Sequence, residues 1–336
     1  MGSWLSIWLN ELGAKVVGYA LPPYTNKDNF VVAKLKEKII SITGDIRDFN
    51  ILYKTFKKYK PEIIVHLAAQ PLVRRSYKMP KETYDVNVGG TINVFEAFRN
   101  VNESRVLINI TTDKCYENVE SIKGYCEEDR LGGYDPYSSS KACSELVTSA
   151  YRNSFFKNFT SQEQKIVSSV RSGNVIGGGD WQEDRLIPDC MLALLNNQEI
   201  IIRNPNAIRP WQYVLELIRG ILMLAKKMWD GDTKFSGAWN FGPGKDDLFS
   251  VQQIVEKILQ NLGKGNYSVQ SKKEPNDFHE TQILILDCLK ANKYLDWGSI
   301  LTINETIGFL CDWYMEENIN YDFNVQQINK YLKKIR

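Results

Sequence analysis

Histidine is nearly absent: His66 and His279 are the two in 336 residues. No Cys/His cluster accompanies them, so no metal site is expected. The six cysteines (Cys115, Cys126, Cys143, Cys190, Cys288 and Cys311) include no CxxC pair. A chain of this length does not need covalent staples, so reduced thiols in the cytoplasm are the expected state. Charge of one sign is also lacking. Lys+Arg 42 against Asp+Glu 40 leaves +2, which gives no electrostatic reason to expect nucleic acid or an anionic membrane as partner. No run of about 18 apolar residues is present, so no spanning helix is expected. Internal repeats and low-complexity linkers are missing as well.

What the sequence does contain is an alternation of helix and buried strand. Residues 3–12 place Trp4, Leu5, Trp8, Leu9 and Leu12 at helical spacing, and Gly13 ends the run. Strands are predicted at 15–21, 38–43, 62–69, 105–111 and 165–171, and helices at 47–59, 81–99 and 136–155. That rhythm means βαβ units and an α/β fold: a doubly wound parallel sheet of Rossmann type. Beyond Gly177, Gly-, Pro- and Arg-rich loops separate shorter elements, which predicts a smaller second lobe. The division is set at 1–175 and 176–336, with the two lobes interleaved. Such a fold should open with a strand and a Gly-rich turn, and only then a helix facing the pyrophosphate. This chain opens at the helix, with Gly2 in the place of the turn's last glycine. The first strand is therefore read as missing, which leaves a gap inside the sheet.

Several segments could carry chemistry. Thr111-Thr112-Asp113-Lys114 closes the strand at 105–111, where parallel sheets bind ligands; a solvated loop start is the plainer reading. Tyr137 and Lys141 stand at i, i+4 on one helix face, which would set the ammonium beside the phenol and lower its pKa. A tyrosinate so poised can remove a hydroxyl proton as hydride leaves the same carbon. YxxxK alone is weak, and Tyr53…Lys57 and Tyr77…Lys81 also fit it; those two read as surface pairs. His66-Leu67-Ala68-Ala69-Gln70 ends another strand with small residues, suited to a flat ligand or to tight packing. Gly44-Asp45 could meet an adenine amino group or be a loop aspartate. Residues 171–188 and 203–211 bring Asn174, Arg185, Arg203, Arg209 and Trp211 among turn glycines. Those arginines suit a diphosphate, and the indole could stack on a base, although surface pairing is the default for any one arginine.

Together these segments resemble the nucleotide-sugar-modifying, extended short-chain dehydrogenases, and among them the CDP-glucose 4,6-dehydratases. The similarity runs over nearly the whole chain. It includes Gly2-Ser3-Trp4-Leu5, Gly44-Asp45-Ile46-Arg47-Asp48, HLAAQPLVRRSY from His66 and DPYSSSK from Asp135. It continues through Arg209-Pro210-Trp211-Gln212 and Trp239-Asn240-Phe241-Gly242-Pro243. TDKCYEN from Thr112 and GNVIGGGDWQEDRLIP from Gly173 are the specific parts; YxxxK and HLAA belong to the wider superfamily. The resemblance implies NAD as cofactor and CDP-glucose as substrate. Tyr137 would deprotonate the 4-hydroxyl, Lys141 hold the phenol and ribose, and Thr112 bond O4. Lys114 would remove the C5 proton and Asp113 protonate the departing hydroxyl. Gly2, Asp45, Ile46, Leu67, Ala68 and Ala69 would join Tyr137 and Lys141 around the cofactor. Gln70, Arg74, Glu117, Asn118, Asn174, Arg185, Leu186, Arg203, Arg209 and Trp211 would hold the nucleotide sugar. A homodimer pairing the 81–99 and 136–155 helices is implied, as is a place in bacterial surface-polysaccharide synthesis.

The chain departs from this pattern in places. Relatives open with a turn of the form TGxxGFKGSWL, of which GSWL remains with Met1 in place of the lysine. That accounts for a start that otherwise fits a loose myristoylation pattern. Thr112 stands where Ser is common, and no acidic residue ends the strand at 15–21, so NAD over NADP rests on the resemblance. An Asp-Lys pair argues against the epimerases and, with Lys in place of Glu, against the dTDP-sugar dehydratases. A catalytically impaired fragment or binding protein, and an epimerase, remain as alternatives.

Overall fold

The computed structural model describes residues 1–156, 164–244, 247–270 and 281–335; His279 lies outside the described residues. Helix α1 (Gly2–Glu11) buries Trp4, Leu5, Ile7 and Trp8 and is stopped by Gly13 at φ +80°. Then come β1 (Val17–Ala20), the short α2 (Asn29–Val32), β2 (Ile40–Thr43), α3 (Phe49–Tyr59) and β3 (Ile63–His66). Asp48 caps α3 by accepting from the Ile51 N–H.

The predicted helix at 81–99 is in fact three pieces preceded by another. After α4 (Val73–Lys78) come α5 (Pro80–Tyr84), a π-helical stretch Asp85–Gly90, and α6 (Thr91–Arg99). A Cβ on Gly90 would lie 2.7 Å from Ile46 Cγ1. The missing side chain is what lets the wider turn press against the loop after β2. Strand β4 (Val106–Ile110) and strand β5 (Ile166–Ser172) are buried at every position, as strands covered on both faces must be. Between them runs α7 (Pro136–Phe155), started by Pro136 and by Asp135, whose carboxylate accepts from the Ser138 N–H at 2.9 Å.

The C-terminal half supplies β6 (Val175–Ile176), α8 (Leu186–Leu195), β7 (Ile200–Ile202), β8 (Ile208–Arg209), β9 (Gln212–Tyr213) and α9 (Val214–Trp229). It continues with β10 (Gly237–Phe241), β11 (Phe249–Ser250), α10 (Val251–Leu262), β12 (Tyr267–Val269), α11 (Leu289–Leu295), α12 (Ile303–Met315) and α13 (Tyr321–Leu332). Capping boxes start α10 (Ser250 with Gln253) and α12 (Thr302 with Glu305).

The central sheet is parallel, in the order β10-β5-β4-β3, while β1 pairs with β2 in a separate parallel sheet. The expected gap is therefore there: among the described residues β1 and β3 share no ladder. Residues past 175 complete the first lobe. Strand β10 extends the sheet beyond β5, and α9 packs on β4 and β5. One side of α9 (Val214, Leu215, Ile218) joins the core around Trp4, Trp8 and Trp313, and the other (Leu217, Ile221, Leu224) joins the core under the sheet. Small sheets β6–β9, β7–β12 and β8–β11 carry the second lobe. Among the described residues no helix is long and apolar enough to cross a membrane.

Candidate active site

Parallel pairing puts the carboxyl ends of β3, β4 and β5 on one rim of the sheet. Thr112, Asp113 and Lys114 leave β4 there, and the Tyr137 end of α7 faces them. Thr112 Oγ1 donates to Asp113 Oδ1 at 3.0 Å, and both residues act on the Tyr137 phenol. Asp113 is 2% exposed, and its Oδ2 has no partner. Burial pushes its carboxyl above the usual range, against the opposing charges of Lys114 and Arg209. Gly173, just past β5, makes this approach possible: a Cβ there would sit 2.5 Å from Asp113 Oδ2. Lys114 is half-buried, and its N–H donates to Thr112 Oγ1 at 3.3 Å.

Tyr137 and Lys141 are both buried on the face of α7 turned to the sheet. Here the sequence reading needs correction. The ammonium does not lower the phenol: Lys141 Nζ donates to the Ile110 carbonyl at 3.0 Å. Burial pushes Tyr137 up to about 12 and brings Lys141 down to about 8. Loss of water around the charged form is the largest cause of each shift. The other two YxxxK matches do lie elsewhere. Lys57 Nζ rests 4.4 Å over the Tyr53 ring, while Tyr77 and Lys81 fall on different helices, with Lys81 paired to Asp85 at 2.5 Å.

The residues assigned to the cofactor line the same rim and the loop after β2. Asp45 is held below the usual carboxylate range by Arg47, 2.6 Å away, and accepts at its carbonyl from the Tyr19 hydroxyl. Ile46 is buried against Gly90. Leu67, Ala68 and Ala69 are half-buried beyond β3. Gly2 opens α1, whose first turn has neither a side-chain cap nor an acidic residue. A Cβ on Gly2 would meet nothing within 4 Å, and the uncapped N–H groups of a helix start attract anions.

The substrate assignments fare unevenly. Arg185 pairs with Asp180 at 2.5 Å, and Asp184 draws Arg203 to 3.1 Å and Arg74 to 3.8 Å. Leu186 follows at the start of α8, half-buried, and the Asn174 carbonyl accepts from the Gln212 N–H. Arg209 is buried and donates to the carbonyls of Ile208, Gln282 and Thr281. Glu117 is paired with Arg130 at 3.1 Å, and Asn118 ties its own loop through Tyr125 and Ile283. Two assignments are corrected. Trp211 is 4% exposed, belongs to the core, and gives its indole N–H to the Phe249 carbonyl at 2.9 Å; it has no free face for a base. The Gln70 side chain is spent on Thr83 and Leu72, so it pins the loop.

Sequence reasoning passed over Asn87, in the π-helical stretch. Its amide brackets Gln70, accepting from the Gln70 N–H at 2.8 Å and donating to its carbonyl at 3.0 Å, and it also donates to Ser140 at 2.9 Å. That clamps the rim of β3 to α7. It also passed over Glu145, one further turn along the Tyr137–Lys141 face, which the same i, i+4 spacing would have found.

Comparison with known proteins gives the family and the fold. The family model described as GDP-mannose 4,6 dehydratase matches residues 1–308. A CDP-glucose 4,6-dehydratase of Salmonella typhimurium is 47% identical over 93% of this chain and 87% of its own. A CDP-paratose 2-epimerase of Salmonella typhi is 31% identical over 81% and 83%. Among solved structures, a dTDP-glucose 4,6-dehydratase of Bacillus anthracis in complex with NAD superposes with a TM-score of 0.76. It is 19% identical and covers 94% of this chain and 93% of its own, so that likeness concerns the fold.

Proposed function

The chain belongs to the GDP-mannose 4,6 dehydratase family, and from that premise we propose that it converts CDP-glucose to CDP-4-dehydro-6-deoxyglucose with NAD. The observation that carries this reading is Asp113: a buried carboxyl at the mouth of the sheet, beside Tyr137, with an oxygen unpartnered and its pKa raised by burial. A group in that state is a proton donor waiting for a leaving hydroxyl.

The residues present fit NAD. The open first turn of α1 suits a pyrophosphate, Asp45 and Ile46 an adenine, and Tyr137 with the buried Lys141 cation a nicotinamide ribose. When bound, NAD supplies a hydride acceptor for carbon 4 and returns the hydride to carbon 6, so no net oxidation occurs. Tyr137 Oη, in its ionised form, takes the 4-hydroxyl proton, while Thr112 Oγ1 bonds O4 and orients the sugar. A ketone at carbon 4 acidifies the proton on carbon 5. Lys114 Nζ removes it, Asp113 protonates the 6-hydroxyl, and water leaves across C5–C6. Lys114 returns its proton to carbon 5, and the proton gained by Tyr137 makes good, by way of solvent, the one given up by Asp113. Arg185, Arg203 and Arg74 would exchange Asp180 and Asp184 for the diphosphate, gaining charge-assisted bonds of the kind arginine forms best.

We also place the enzyme in the cytoplasm, serving surface-polysaccharide synthesis as a homodimer. Tyr84, Ile92, Leu146 and Phe155, exposed on α5, α6 and α7, support the pairing of those helices. The break between β1 and β3 favours one second reading, a chain that binds nucleotide sugar but holds NAD weakly. Incubation with CDP-glucose and NAD, followed by the alkali-stabilised absorbance of a 4-keto sugar, tests the first reading. Ketone from wild type, and far slower ketone formation by Asp113→Asn, is the expected result. A protein that binds both ligands and makes no ketone would sink it. Calorimetric titration with NAD tests the second, which falls if NAD co-purifies or binds tightly.

A further inference from the structure

Below the catalytic rim lies a buried ion pair that the mechanism does not use. Glu145 Oε1 accepts from Thr111 Oγ1 at 2.5 Å, and its Oε2 accepts from Ser169 Oγ at 2.7 Å and from Arg171 Nη2 at 2.9 Å. Side chains of the pair are 3% and 5% exposed. Arg171 Nη1 donates onward to the Tyr116 hydroxyl and the Glu127 carbonyl, each at 2.9 Å, and Tyr116 passes the chain to Asn240 of β10 at 2.7 Å. The Glu145 carboxylate of α7 thus joins the end of β4 to β5, and Arg171 with Tyr116 carries the chain on to β10.

The location of that carboxylate is what gives it a task. Tyr137, Lys141 and Glu145 stand at i, i+4 and i+8, so they share one face of α7. Thr111, held by Glu145, is the residue before Thr112, and Ser169 and Arg171 lie two strand positions apart on the same side of β5. The hub therefore sets how far the Tyr137 end of α7 stands from the Thr112–Asp113 end of β4.

From this geometry we propose that Glu145, seated on Arg171, is a positioning residue for the dehydratase chemistry: it fixes Tyr137 and Lys141 against the strand end that bears Thr112 and Asp113. It acts through those residues and does not touch the sugar. The inference rests on the function proposed above. The same carboxylate also sustains the charge on Lys141. That ammonium is faced by Glu145 from its own helix, by His66 from β3 and by Cys115 from the turn after β4. Burial keeps the Cys115 thiol well above its ordinary range and so protonated, and His66 stays neutral. The charges that face Glu145 in turn are Arg171 on β5 and Arg152 on α7.

The test compares Glu145→Gln, Glu145→Asp and the double variant Glu145→Gln/Arg171→Met with wild type. Two readouts are taken, the steady-state kinetics with CDP-glucose and the titration of Lys141 by 15N-lysine NMR, assigned with Lys141→Met. A displaced reacting pair should lower kcat on the order of 100-fold with KM unchanged. The Lys141 midpoint should fall in Glu145→Gln and return toward wild type in Glu145→Asp. Since Glu145→Gln alone strands a buried arginine and can fail to fold, the double variant decides in that case. If it folds with wild-type kcat and an unshifted Lys141 midpoint, the pair is merely structural and the proposal falls. Should wild type make no ketone, the dehydratase reading fails separately. The NMR midpoint still decides this inference, and an unchanged value in Glu145→Gln overturns it.

Discussion

A carboxyl group shut away from water resists ionising because the anion loses its hydration and gains little in return. Asp113 is in that state, with Thr112 bonded to Oδ1 and no partner on Oδ2. Its folded-state pKa lies above the ordinary 3.8. The stability it contributes is complete below that value and is lost as pH rises through the raised one. At neutral pH, then, Asp113 serves chemistry at the expense of the fold. Asp113→Asn is expected to lower kcat by roughly 10²–10⁴-fold and yet to raise unfolding stability by about 1 kcal/mol. Urea melts at pH 7 and pH 4 check this, because the gain must shrink at the lower pH. Trp211 is the opposite kind of residue. Packed in the core and bonded to Phe249, it should cost about 3–5 kcal/mol when cut to Ala. Trp211→Phe should leave KM for CDP-glucose unchanged; a raised KM in a fully folded Phe variant would restore the base-stacking role.

Between β3, α6 and α7 runs a polar seam that no hydrophobic pattern announces. Thr91 Oγ1 donates to the Asn87 carbonyl at 2.7 Å, so toward His66 Nε2, 3.2 Å away, it acts as acceptor, which fixes the N–H on that nitrogen. Burial and the Lys141 charge hold His66 down to about 3. With a folded pKa below the unfolded 6.5, the unfolded chain binds the extra proton. Stability is full above 6.5 and falls by about 1.4 kcal/mol for each pH unit below it. Denaturant midpoints at pH 7.5 and 5.5 should differ in wild type and converge in His66→Gln. The sequence spacing made Tyr137, Lys141 and the strand end at Thr112 legible, because periodicity and topology alone place them. It could not foresee Asn87 or the π-helical stretch, since one inserted residue in a helix leaves the apolar period nearly intact. Nor could it tell that Trp211, in a Pro- and Arg-rich loop, turns inward to Phe249. The burial of an aromatic side chain depends on what packs over it from distant segments, here residues 38 positions away.

For the molecule taken whole, the break in the sheet has a consequence for cooperativity. Strands β4 and β5 each pair on both edges, and α9 ties their core to that of the second lobe. Strand β1 has β2 as its ladder partner and joins the rest through side-chain packing, with Tyr19 against the core that holds Val94, Phe95 and Leu107. Regions with fewer long-range ladders open at lower free energy than the global unit. Amides of Gly18 and Tyr19 should therefore exchange with deuterium through a sub-global opening. Those of Leu107, Ile108 and Val167 should exchange only with global unfolding. A ligand stabilises whatever its site requires to be formed. If NAD spans α1, the loop after β2 and the Tyr137 rim, its addition should slow exchange in β1 and β2 far more than in β4. Equal exchange free energies for β1 and β4 without NAD would mean that side-chain packing alone makes the two sheets one unit. A cofactor that slows β1 no more than β4 would instead show that its adenine half is not held by the loop carrying Asp45 and Ile46.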